Sequence, residues 1–210
     1  MKRFSFKMLL VAAVAVGLSG CGGDDNPNNN GSWDGSHDYI ELGGLKWMKK
    51  NLNEQTANSL CYENKSANCT KYGRLYTWEA SKTACQSIGW RLPSREEWEA
   101  LLTAADGEYN ITSGGIAGGK LKSKSGWYDN DNGGNGNGNG TDDFGFSALP
   151  GGGVNDDGLF YHAGYIGHWW TATESGGGYA YRWSMYYVGD YVFVDDQVKS
   201  FGLSVRCVKD

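Results

Sequence analysis

Four cysteines, Cys61, Cys69, Cys85 and Cys207, place the strongest constraint on what this 210-residue chain can fold into. An even number in an oxidising compartment implies two disulfides. Four cysteines allow three pairings. The favoured one joins Cys61 to Cys69 as a local loop clip and Cys85 to Cys207, tying an early helix to the last strand. On the chain-entropy model the short loop contributes about 2.5 kcal/mol and the long one about 5 kcal/mol. A four-cysteine metal site is disfavoured, because no CxxC pair is present and only three histidines accompany the cysteines.

The oxidising compartment follows from the start of the chain. Lys2, Arg3 and Lys7 precede an apolar run over residues 8–16, and Leu18-Ser19-Gly20-Cys21 closes it. A basic start, a short apolar run and small residues before a cleavage point describe a secretory signal, too short to span a membrane. Because the site ends on a cysteine it resembles a bacterial lipobox. That resemblance implies cleavage after residue 20 and acylation of Cys21. Residues 1–20 are therefore expected to be a signal peptide, and the mature protein to sit in the cell envelope, facing the periplasm or the cell surface, with a lipid anchor as its link to the membrane.

Cleavage leaves 16 basic against 24 acidic residues, a formal charge of −8. Such a chain is a poor partner for nucleic acid or for an anionic lipid surface. Residues 21–38, mostly small and polar, cannot bury enough apolar surface to fold and read as a flexible tether. Residues 39–210 then fit one domain. Nine Trp and thirteen Tyr, with few Leu, Ile or Val, predict an aromatic, glycine-hinged core.

Local signals give the expected elements. "YIELGGLKWMKKNL" holds two alternating runs around Gly43-Gly44, a hairpin pattern. A first helix is expected over 78–88, with Thr77 as cap and Gly89 at the left-handed exit. A second follows "RLPSREEWEALL". There Ser94 and Glu97 form a capping box, Trp98, Leu101 and Leu102 share one face, and Gly107 ends the helix. Residues 129–143, "DNDNGGNGNGNGTDD", are a low-complexity loop. "FGFSALPGG", "HWWTATE", "YAYRWSMYY", "YVFVDD" and "FGLSVRCVKD" read as strands of a small antiparallel sheet. Two helices, short antiparallel strands and long Gly-rich loops predict an α+β domain.

In order along the chain, "WMKKNLN" (47–53), "YGRLYTWEASKTAC" (72–85), "GWRLPSREEWEALL" (89–102), "LKSKSGW" (121–127), "GTDDFGFSALPGG" (140–152), "WWTATE" (169–174) and "SVRCVKD" (204–210) resemble the Fibrobacter succinogenes major paralogous domain family. The resemblance implies a C-type-lectin-like fold, in which a helix cysteine pairs with one on the last strand, in keeping with Cys85–Cys207. It also implies secretion, often as a lipoprotein, and brings no established activity. Residues 91–99 further resemble a segment of the formylglycine-generating enzymes. Those need reactive, copper-binding cysteines late in the chain, and here the one late cysteine, Cys207, is expected in a disulfide.

No catalytic group stands out. Arg91, Arg95, Glu96 and Glu97 lack an accompanying nucleophile, Glu97 reads as a helix cap, and Arg91 as a structural partner for a carboxylate or carbonyl. His37, His162 and His168 are scattered, and nothing favours a serine–histidine–acid arrangement. The chain is therefore read as a non-enzyme without a resident cofactor. Calcium is the one candidate ion: Asp129 and Asp131 alternate with asparagines before Gly133-Gly134, and Asp142 and Asp143 follow as possible carboxylates. The loop departs from a calcium pattern at its fifth position and lacks a bidentate Glu at the twelfth. The sugar–calcium triplets of lectins are also absent.

Aromatic residues carry the remaining functional expectation. Along 181–186, Tyr181, Trp183 and Met185 share one strand face and Arg182, Ser184 and Tyr186 the other. One face must pack the core. Tyr186, Tyr187 and Tyr191 are the candidates left to stack on sugar rings or enter a protein interface. The expected function is a lipid-anchored envelope module binding a polysaccharide or an envelope protein. A structural or adhesion component of the envelope is the alternative from another class, and an enzyme related to the formylglycine-generating group is a third.

Overall fold

A computed structural model describes residues 37–106, 116–129 and 138–210. The expected signal peptide, Cys21, nearly all of the tether, Gly107, Asp131 and the centre of the Gly/Asn loop lie outside the described residues. The two glycines of "YIELGGLKWM" do turn the chain. β1 (Tyr39–Leu42) and β2 (Leu45–Met48) pair antiparallel, with φ at +61° for Gly43 and +85° for Gly44. Two consecutive positive φ values make the primed turn that matches strand twist. Gly43 is needed for a second reason: a Cβ there would lie 2.8 Å from the backbone of Ala100.

Helix α2 (Trp78–Ser87) begins after Thr77, which occupies the cap position without making a side-chain cap bond. Helix α3 (Arg95–Asp106) has its cap formed in full. The Ser94 N–H donates to Glu97 Oε2 at 2.8 Å and the Glu97 N–H donates to Ser94 Oγ at 3.2 Å. Arg91 donates to Glu97 at 2.7 Å and to Asp210 at 2.8 Å, joining this helix start to the chain's last residue. Trp98, Leu101 and Leu102 are fully buried on the inner face of α3.

The expected C-type-lectin-like α+β architecture with two helices is not what forms. Among the described residues the fold is mostly β, with three antiparallel sheets ordered β1-β2-β11, β3-β4-β10-β5-β6 and β7-β8-β9. Four short helices accompany them among the described residues, including α1 (Ser66–Tyr72) and α4 (Ala117–Leu121). The five-stranded sheet is built from two-residue strands: β3 (Ser59–Leu60), β4 (Leu75–Tyr76), β5 (Gly153–Val154), β6 (Phe160–Tyr161) and β10 (Gly202–Leu203). Two residues carry no readable alternation, and α4 contains Gly118 and Gly119, poor helix formers. The "FGFSALPGG" segment forms no strand before β5. Asp142 and Ser147 take positive φ near it, and Ala148 makes only an isolated bridge to Lys122. β11 (Val208–Lys209) completes the hairpin sheet.

The long strands are β7 (Ile166–Gly176), β8 (Tyr179–Tyr186) and β9 (Val192–Val198). Consecutive residues on a strand face opposite ways. Trp169 therefore enters one core cluster with Trp47, Trp98, Phe146 and Trp183, while Trp170 enters another with Tyr76, Trp78 and Leu203. An acceptor stabilises a buried indole N–H. Trp169 donates to Asn51 Oδ1 at 2.9 Å and Trp170 to the Tyr76 carbonyl at 2.8 Å. Disulfide Cys85–Cys207 sits in the second cluster, and Cys61–Cys69 closes the loop around α1.

Arg206 is the other device that joins distant segments. It is fully buried and donates to Asn51 Oδ1, to the carbonyls of Met48 and Ser147, each at 2.8 Å, and to that of Phe146 at 2.5 Å. Its guanidinium lies 4.4 Å from the Phe146 ring centroid. Desolvation pulls its pKa down to about 9, against the opposing charge of Asp142.

Candidate functional site

The β7-β8-β9 sheet has a first face committed to the core and a second that is buried along β7, where Trp170 packs, and opens to solvent toward β9 and the hairpin end. Trp183 and Met185 of β8 are fully buried on the first. The second carries Arg182, Ser184 and Tyr186, the register pairing Arg182 with Asp195, Ser184 with Phe193 and Ile166 with Tyr186. Toward the end of the β8–β9 hairpin this face becomes aromatic and open. Tyr186, Val188, Tyr191 and Phe193 line a groove of about 330 Å³. Tyr191, Val188 and Phe193 are half exposed, at 50, 49 and 46%. That much exposed apolar surface in one place marks a contact site better than scattered single residues do.

The rings stand at angles. Tyr186 meets Phe193 edge-on with centroids 5.4 Å apart and planes at 86°, and Tyr191 is tilted 48° to Phe193 at 6.2 Å. Arg182 Nη2 lies 3.6 Å from the exposed Asp195 carboxylate, so an ion pair flanks the aromatic rows.

Behind that pair lies a polar cluster that sequence reasoning missed. Arg182 donates to Ser184 Oγ at 2.7 Å and to His168 Nδ1. The guanidinium only donates, so Nδ1 is an acceptor and the ring proton sits on Nε2. Ser184 Oγ lies 2.8 Å from the same nitrogen. Burial first, then the charges of Arg182 and His162, hold the His168 pKa well below its usual value. Ser184 is 1% and His168 3% exposed, so this serine–histidine pair is closed over. The one signal for it was the alternation that put Arg182 and Ser184 on a single face.

The hairpin end is held from the core side. Lys122, 2% exposed, reaches the turn's carbonyls, and the Gly118 N–H donates to the Asp190 carbonyl at 2.9 Å. A Cβ on Gly118 would come within 2.5 Å of that oxygen, so glycine is required for the approach.

Residues 40–209 match the family model of the Fibrobacter succinogenes major domain. The chain belongs to this family. Comparison with curated proteins and with solved structures finds no match.

Within this Fibrobacter succinogenes major domain the three candidate tyrosines do not form one site. Tyr186 and Tyr191 share the groove. Tyr187 belongs to a separate cluster, where Tyr128 and Tyr165 stack at 4.6 Å and Tyr187 meets both edge-on at 5.4 Å. Past the end of β8 the alternation lapses: the Tyr187 N–H donates to the Tyr165 carbonyl and the ring packs against the core. Val188 and Phe193, not singled out for the site, complete the groove.

Of the aspartates considered for calcium, Asp131 lies outside the described residues. Asp142 accepts from the Ser147 N–H at 2.6 Å and from its hydroxyl at 2.5 Å, leaving its carboxylate committed. Asp129 and Asp143 are exposed. Among the described residues of this Fibrobacter succinogenes major domain, no group of three His, Cys, Asp or Glu side chains is placed to hold a metal, and no helix is long and apolar enough to cross a membrane.

Proposed function

We propose that this protein is a non-catalytic, lipid-anchored envelope protein whose domain binds a polysaccharide on the open face of β7-β8-β9. The groove of Tyr186, Val188, Tyr191 and Phe193 carries the reading. Aromatic rings stack on the apolar faces of sugars, their hydroxyls reach polar edges, and the neighbouring Arg182–Asp195 pair offers hydrogen bonds to sugar hydroxyls. The angled rings suit a soluble glycan chain better than the flat face of an insoluble crystal. Anchoring through Cys21 is supported by the leader, whose small-residue site ends on that cysteine. The absence of catalysis is supported by the Cys85–Cys207 disulfide, which occupies the late cysteine an oxidative enzyme of the formylglycine-generating type would use.

The test is binding of the full-length protein to a panel of soluble polysaccharides, repeated with Tyr191→Ala and Tyr186→Ala. Each variant is expected to weaken binding about tenfold, as loss of a stacking aromatic does. Tyr187→Phe, in the other cluster, should bind like the native protein. A panel with no binder, or alanine variants that bind normally, would remove the proposal.

A further inference from the structure

A second cleft, sharing no residue with the aromatic groove, opens where the chain leaves β2. It holds about 520 Å³, within the range of small-ligand sites. Lys49 and Lys50 follow β2, and Lys71 comes from the C-terminal turn of α1. All three side chains are exposed, and none pairs with a carboxylate among the described residues. The Lys71 ammonium lies 4.6 Å from the Tyr72 ring centroid.

The walls add a fourth positive charge. Asn51 and Ser147 line the cleft, and each accepts from Arg206 at 2.8 Å. Every acceptor that Arg206 meets is neutral, so its buried charge is not cancelled by contact and acts on the space beyond them. Two carboxylates oppose this field: Asp38 on the cleft itself, and Asp142, tied to Ser147. Four cations against two acids leave the cleft positive on a chain whose formal net charge is −5. Local reversal of sign on an acidic protein is what concentrates an anion in one place.

The cleft is also built to keep its shape. The Asn51 amide donates to the Tyr72 carbonyl at 2.8 Å, and the Arg74 N–H donates to the Leu52 carbonyl at 2.9 Å. Gly73 packs so closely that a Cβ would lie 2.7 Å from Asn51 Cβ. Cys69, in the disulfide with Cys61, lines the same space. Walls fixed in advance lower the ordering cost of binding.

We infer that this cleft binds an acidic sugar, its oxyanion seated among Lys49, Lys50 and Lys71. Asn53, Thr70 and Ser125, on the lining, both donate and accept, which is what ring hydroxyls require. The oxyanion is a uronate carboxylate or a sulfate ester, and both place negative charge on a hydroxylated ring.

Calorimetric titration of the full-length protein with trigalacturonate, a singly sulfated galactotriose, neutral galactotriose and sodium sulfate tests this. At least one acidic trisaccharide should bind about tenfold more tightly than the neutral one, and which of the two binds better identifies the oxyanion. Its affinity should fall about fivefold or more in Lys50→Gln and in Lys71→Gln, and fall again as salt rises from about 0.05 M to about 0.5 M. Both lysines are exposed, so neither substitution disturbs the core. Tyr191→Ala should leave this affinity unchanged, which separates the cleft from the aromatic groove. Equal binding of neutral and acidic trisaccharides, lysine variants that bind normally, or no binding of either acidic sugar would each overturn the inference. So would free sulfate binding as tightly as the acidic sugars, because that assigns a bare-anion site.

Discussion

The Lys122 ammonium lies 2.8 Å from the carbonyl oxygen of Gly189, and 3.3 Å from that of Tyr186, so a buried cation grips the turn that presents the aromatic groove. Asp190 is its nearest carboxylate, at 3.8 Å. Replacing Lys122 with Met keeps the apolar stem and removes both bonds. The expected loss is about 2 kcal/mol by urea unfolding, the scale of hydrogen bonds from a charged donor. Backbone amides of residues 186–191 should exchange faster, and binding at the groove should weaken. Unchanged exchange there would mean that Lys122 does not hold the turn.

His168 makes stability depend on pH in a defined direction. Its folded pKa is held well below 6.5, while the unfolded chain takes up a proton near that value. Below about pH 6.5 the unfolded state therefore binds more protons. The stabilisation is complete above that pH and drains as pH falls toward the folded pKa, by at most about 1.4 kcal/mol per pH unit. The advantage of the native protein over His168→Asn should accordingly shrink between about pH 7 and pH 5. A constant gap across that range would refute the coupling.

Arg206→Lys tests the buried guanidinium. An ammonium cannot reach acceptors on Asn51, Met48, Phe146 and Ser147 at once, and those left over stay buried without donors. About 3 kcal/mol or more should be lost in chemical denaturation. A change below about 0.5 kcal/mol, the scale of a neutral surface substitution, would show that the network is dispensable.

The two disulfides should differ in weight. Removing both cysteines of a pair avoids leaving a free thiol. The Cys85→Ala, Cys207→Ala protein, which opens a link of sequence separation 122, is expected to lose about 5 kcal/mol. The Cys61→Ala, Cys69→Ala protein, with a separation of 8, should lose about 2.5 kcal/mol. Denaturant midpoints of the two variants, corrected for slope, decide the order.

What the sequence determined by itself is local. The Gly43-Gly44 turn and the Ser94–Glu97 box each depend on residues within four positions of one another, so their chemistry is written in adjacent letters. The long strands β7, β8 and β9 were legible for the same reason, since runs of seven residues or more rich in aromatic and β-branched side chains carry a strand signal of their own. Only the tertiary structure decided the rest. Two-residue strands have no period to read and exist because other segments supply their hydrogen bonds, as Leu203 does for Tyr76. The same is true of the candidate site. Alternation placed Tyr186 opposite Trp183, but only packing showed that Trp183 faces the core and Tyr186 the open side. Tyr187 left the groove because the strand ended beside it and the Tyr165 carbonyl took its N–H. "RLPSREEWEALL", part of which resembles a segment of an enzyme family, starts and docks a helix. The aromatic groove comes from one stretch, residues 186–193, whereas the cleft with its cations was assembled from segments that never meet in the sequence.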